Sequence, residues 1–119
     1  MGSTNEEAAR ALSSHRFAEA FPFIASDVVW DVVGAGVVTG RDDAIAACET
    51  LEAELLGTTV VFERLRSLVA GDSVIVDSIA TYQDPAGDTS KVAACDIYDF
   101  RHAQIVAIRS FNVELEAAI

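Results

Sequence analysis

A chain of 119 residues that is 51% hydrophobic is the size of one domain and carries enough apolar surface for its own core, which excludes an intrinsically disordered tract. Its net charge of −11 excludes the clustered Lys and Arg that nucleic acid and anionic membrane surfaces demand, so neither is an expected partner. No stretch approaches the ~18 uninterrupted apolar residues of a membrane helix. The start, Met1-Gly2-Ser3-Thr4-Asn5-Glu6-Glu7, has neither the basic nor the apolar segment of a signal peptide. The two cysteines, Cys48 and Cys95, lack a Cys-x-x-Cys partner and read as buried free thiols in a reducing cytoplasm.

Ser3-Thr4-Asn5-Glu6 has the form of a capping box with Ser3 as N-cap, opening a helix over 4–12 with Ala8, Ala9 and Leu12 inward. Ser13-Ser14 breaks it and is placed to cap a second helix over 15–24, where Phe17, Ala20, Phe21 and Ile24 recur at helical spacing and Pro22 predicts a kink or early end. The β-branched run 27–33 reads as a strand ending at Gly34-Ala35-Gly36, with Val37-Val38 as a short partner. A third helix is predicted over 41–56, its inward stripe being Ala44, Ile45, Cys48, Leu51 and Leu55, with Gly57 as its stop. Strands then follow over 58–69, 74–83, 90–100 and 105–113, joined by short turns. Such runs imply an antiparallel meander, and helices followed by a meander imply one α+β domain over 1–119.

Alternate residues of a strand share a face. One face of the third long strand carries Val92, Ala94, Asp96, Tyr98 and Phe100, and one face of the last carries Val106, Ile108, Ser110 and Asn112. Neither strand alternates cleanly between apolar and polar, so both faces are expected to be covered, one by helices and a pocket and the other by a second copy of the chain. A homodimer is therefore expected.

Asp31 and Asp96 are the candidate catalytic residues, because each interrupts an apolar strand. Desolvation disfavours the charged form of such a carboxyl. An ionised one acts as a base toward a carbon acid, and a neutral one donates a hydrogen bond to a developing oxyanion. Phe17, Phe21, Trp30, Tyr98 and Phe100 are expected as pocket lining, with Ser110 and Asn112 as polar contacts on its floor. His15 and His102 read as exposed, and two lone histidines without carboxylates at ligand spacing give no metal site. No glycine-rich phosphate loop follows a strand, so no cofactor is expected.

The segment from Phe23 through Asp27, Trp30 and Gly34, then Gly40-Arg41-Asp42-Asp43-Ala44-Ile45, resembles the SnoaL-like branch of the NTF2-like superfamily. So does Cys95-Asp96-Ile97-Tyr98-Asp99-Phe100 followed by Gln104-Ile105-Val106-Ala107-Ile108. The resemblance implies a cone in which three N-terminal helices pack on a strongly curved, mainly antiparallel sheet around an apolar pocket. Within the superfamily the spacing is also similar to ketosteroid isomerases, which implies Asp31 as general base and Asp96 as the hydrogen-bonding carboxyl. Those enzymes add a tyrosine on the first helix, where this chain has none; its tyrosines are Tyr82 and Tyr98. The Asp-Arg-Asp set of limonene-type epoxide hydrolases is missing its arginine at Ala94 and its second Asp near Ser110. The resemblance to polyketide cyclases of the SnoaL type implies a single acid/base Asp at Asp96. The expected function is a pocket for a small apolar molecule, with cofactor-free acid/base catalysis of an isomerase or cyclase type on a ketone or polyketide-like substrate. The alternative is a non-catalytic binding or dimerisation module.

Overall fold

The computed structural model describes residues 4–115. The Ser3 cap expected from the sequence lies outside the described residues. Helix α1 (Thr4–Ser13) turns one face, Ala8, Ala9, Ala11 and Leu12, into the core. Helix α2 spans only Phe17–Ala20, and a 3-10 turn, Phe21–Phe23, takes the chain straight into a strand. The second helix expected over 15–24 is thus cut at both ends. His15 has a left-handed φ of 67°, which no helix accommodates, and Pro22 sits in the first residues of the 3-10 turn, where its missing donor costs nothing. Nor does a serine cap α2. Its cap position is Arg16, and Ser14 Oγ instead bonds back to the Arg10 carbonyl at 2.7 Å.

Strands β1 (Ile24–Val32) and β2 (Gly36–Thr39) form a hairpin. Gly40, at φ 89°, takes the left-handed backbone needed to enter α3 (Arg41–Glu54), which buries Ala44 and Cys48. Four long strands follow as an antiparallel meander: β3 (Thr59–Ala70), β4 (Ser73–Gln83), β5 (Thr89–Arg101) and β6 (Gln104–Leu115). β1 closes the order by pairing parallel to β6, giving one six-stranded sheet, β2-β1-β6-β5-β4-β3. Register shifts at Phe62/Arg64 and Asp99/Phe100 interrupt ladders that would otherwise run straight, as bulges that bend a sheet do. The three helices pack against one face, and the core lies between them and the sheet, around Phe17, Ile24, Val28, Val74, Val76, Phe100, Ile105 and Ile108. This is the α+β architecture expected from the sequence. Among the described residues no helix is long and apolar enough to cross a membrane.

Both cysteines are free thiols; Cys48 is buried and Cys95 half-buried. Burial, with help from Glu49 and Glu52, pushes the Cys48 thiol up to about 12, so it serves as packing rather than as a nucleophile.

Candidate functional site

Between the helices and the concave face of the sheet lies a cavity of about 270 Å³. Its apolar lining comes from Leu12, Phe17, Val32, Val38, Leu51 and Phe62, among others. Among the described residues, Asp96 is the only carboxylate that lines it.

Two hydroxyl groups hold Asp96. Ser13 Oγ, at the C-terminal end of α1, donates to Oδ2 at 2.7 Å. Ser110, directly opposite Asp96 across the β5–β6 ladder, brings a second hydroxyl to the carboxyl and favours its charged form. Each hydroxyl is backed by an aromatic donor. Since a serine hydroxyl has one proton and Ser13 gives it to Asp96, the 2.6 Å contact with Tyr98 is a bond from the phenol O–H to Ser13 Oγ. Trp30 Nε1–H in turn donates to Ser110 Oγ at 3.0 Å. Two chains, Tyr98 to Ser13 and Trp30 to Ser110, therefore converge on one carboxyl.

Burial raises the pKa of Asp96 above the usual carboxylate value, and it outweighs the opposing pull of the Ser110 and Ser13 hydrogen bonds and of His15. Tyr98, fully buried behind it, is held far above the ordinary phenol range by burial and by the Asp96 charge, so it stays a donor. Asp96 is thus shaped to accept hydrogen bonds while its basicity is increased.

The structure brings Asp96, Phe17, Trp30, Ser110 and Asn112 together around the cavity. Tyr98 lies beneath it, reaching Asp96 through Ser13. Phe100 is in the core, and Phe21 packs against that core from the 3-10 turn; neither lines the cavity. Asp31 is not brought to the site. Trp30 and Val32 face the cavity, so the pleat turns Asp31 to the opposite face, with Val29 and Val33. There its ladder neighbours are Val37 and Arg109. The two carboxylates share no pocket.

His15, read from the sequence as exposed, is half-buried and lines the cavity. Its left-handed backbone turns the ring inward onto Phe17, Phe62 and Tyr82, with centroids at 5.5, 5.7 and 5.9 Å. Burial lowers its pKa, against the raising effect of Asp96. Ser13, Phe62, Ser78 and Tyr82 are further lining residues that the sequence reading did not place in the pocket. The alternation of β4 carried a signal for two of them, since Ser78, Ala80 and Tyr82 share a face with the buried Val74 and Val76.

A family model, the SnoaL-like domain, matches residues 6–108. No curated protein matches the chain. Among solved structures, an NTF2-like protein of unknown function from Cytophaga hutchinsonii is 24% identical, with a TM-score of 0.80 over 92% of this chain and 96% of that one. A candidate SnoaL-like polyketide cyclase from Jannaschia sp. CCS1 is 19% identical, with a TM-score of 0.72 over 92% and 85% of the two chains. An M. tuberculosis LEH-like epoxide hydrolase is 14% identical, with a TM-score of 0.67 over 92% and 83%. At these identities the structural likeness establishes the shared fold. By the match of its family model over most of its length, the chain belongs to the SnoaL-like domain family, in the NTF2-like fold.

Proposed function

We propose that the chain binds a small, largely apolar molecule in the cavity and acts on it as a cofactor-free acid/base enzyme with Asp96 as the proton-transfer group. The observation that carries this reading is the setting of Asp96: a carboxyl of raised pKa on the wall of an apolar cavity, accepting a hydrogen bond from Ser13 and facing the Ser110 hydroxyl across the ladder. Purely structural buried carboxylates are usually paired with a cation, and the cations of the chain's ion pairs go elsewhere, to Glu19, Asp77, Glu63 and Asp27. As base, the carboxylate takes a proton from the carbon beside a ketone, leaving an enolate. Return of the proton to another carbon gives an isomerase. Attack of the enolate carbon on a second carbonyl, whose alkoxide takes the proton back, gives a cyclase. The cavity is slightly smaller than the ~300–1,000 Å³ of drug-sized ligand sites, which favours mono- and bicyclic substrates over four-ring ones.

The test is the melting temperature of wild type and Asp96→Asn with phenols and bicyclic enol mimics. A ligand at a hundred times its Kd adds about 2.7 kcal/mol, a clear shift. A shift lost in Asp96→Asn supports the reading, and no shift with any ligand counts against it. Binding without turnover would favour a non-catalytic binding module. The outer face of the sheet exposes Val29, Val37 and Val113 at 43%, 60% and 60%, which supports the further proposal that two copies pair through that face. Sedimentation of the wild type against Val113→Lys tests it; a wild type that sediments as a monomer contradicts it.

A further inference from the structure

A second polar pair in the cavity, His15 and Tyr82, stands outside the Asp96 hydrogen-bond network. His15 Nε2 lies 2.8 Å from Tyr82 Oη. The other ring nitrogen, Nδ1, is buried and has no hydrogen-bond partner among the described residues. The left-handed backbone at His15 costs a non-glycine residue about 1–2 kcal/mol, so the fold holds this ring in place against a penalty.

The orphaned nitrogen decides the direction of the bond. A proton on Nδ1 would leave a buried N–H donor without an acceptor, at the desolvation cost that most buried polar side-chain atoms avoid by pairing. A proton on Nε2 leaves only a bare lone pair at Nδ1, and Nε2–H then donates to Tyr82 Oη. The phenol's own proton is released for another partner. Among the described residues Tyr82 has no second hydrogen bond, and it lines the cavity. Burial and the Asp96 charge both raise its pKa, which keeps the phenol protonated.

We propose that Tyr82, positioned by His15, is the cavity's hydrogen-bond donor to a ligand oxygen, so that the site takes a compact ketone or enone with its carbonyl on Tyr82 and its acidic C–H toward Asp96. The assignment rests on the ligand-binding reading above and adds the groups that orient the ketone's oxygen. When Asp96 takes the α-proton, the C–H pair becomes the new C=C bond and the carbonyl π pair moves to oxygen, where Tyr82 donates. Nothing is oxidised or reduced.

The experiment compares two bicyclic probes of nearly the same shape, 2-tetralone, which has a carbonyl, and tetralin, which has none. The wild type should bind the ketone about 3- to 10-fold tighter, the range of one hydrogen bond. Tyr82→Phe should erase that preference and leave tetralin affinity unchanged. The carbonyl stretch of bound 2-tetralone should be lowered in the wild type, revert in Tyr82→Phe and in His15→Ala, and recover in His15→Gln, whose amide N–H can donate to Tyr82. Equal binding of the two probes, or a lowered stretch that survives Tyr82→Phe, overturns the assignment of Tyr82. A lowered stretch that survives His15→Ala overturns the role of His15. If tetralin binds without a preference for the ketone, only this assignment falls; if neither probe binds, the ligand-binding reading falls with it.

Discussion

Ser13 Oγ, at the last residue of α1, donates a 2.7 Å hydrogen bond to Oδ2 of Asp96 in the middle of β5, 83 residues further along the chain. This bond joins the helical layer to the sheet at the wall of the cavity. It also places Ser13 between a phenol donor and a carboxyl acceptor, so that two buried groups depend on one hydroxyl.

Ser13→Ala should therefore cost about 1–3 kcal/mol in urea unfolding, the penalty of stranding buried polar partners rather than of losing one hydrogen bond. It should also raise the pKa of Asp96 further, because one of the bonds that favour the carboxylate is gone. Carbon-13 NMR titration of the Asp96 carboxyl reads the second effect directly.

The raised pKa of Asp96 has a consequence for stability. Between the ordinary carboxyl value of 3.8 and the higher folded value, the folded state binds more protons than the unfolded one. Stability from this group is complete below 3.8 and is lost as the pH rises through the folded pKa. Asp96→Asn removes the cost of the buried charge. It should unfold at higher urea than the wild type at pH 7, and the gap should close as the pH falls toward 4 (roughly the unfolded carboxylate value). A variant that is less stable than the wild type at pH 7 would contradict the desolvated environment.

Asp31 supplies the contrasting case. It lies on the opposite face of β1 from Trp30, so Asp31→Asn should leave probe binding in the cavity unchanged and shift stability by no more than about 0.5 kcal/mol. Fluorescence of Trp30, the single tryptophan, measures both on one sample.

The β5–β6 turn offers a prediction about the fold alone. His102 and Ala103 both have left-handed φ, 52° and 61°, the pattern of a mirror-image hairpin turn that Asn-Gly prefers. Replacing the pair by Asn-Gly should raise stability by about 0.5–1 kcal/mol in thermal unfolding, with no change in the cavity. A loss of stability would mean that the exposed His102 makes contacts that outweigh backbone strain.

The extent to which this molecule is legible in its sequence follows from which signals are periodic. The strand expected over 74–83 is observed as β4, Ser73–Gln83, because alternation marks a strand with one buried face. The same rule grouped Asp96 with Val92 and Ala94, and Ser110 with Asn112, and all five line the cavity. Applied strictly, it would also have separated Trp30 from Asp31, since neighbours in a regular strand cannot face one pocket. His15 was hidden for another reason. Its inward direction depends on a single left-handed φ in the α1–α2 turn, a conformation that helical spacing does not encode. Ser13 reads in sequence as a helix breaker, and its contact with Asp96 exists only once the sheet has curved around α1.

If Asp96 is a working base inside a ligand-accessible apolar cavity, the protein exchanges the acidic protons of a bound ketone with solvent. With 2-tetralone in deuterated water, NMR would follow the replacement of its α-protons by deuterium, with wild type, Asp96→Asn and no protein compared. Exchange should be accelerated above the uncatalysed background by the wild type and lowered by about 100-fold or more in Asp96→Asn, the scale of a general base. Acceleration that is equal in wild type and variant, or a wild type that binds the ketone without exchanging its protons, would contradict that role for Asp96.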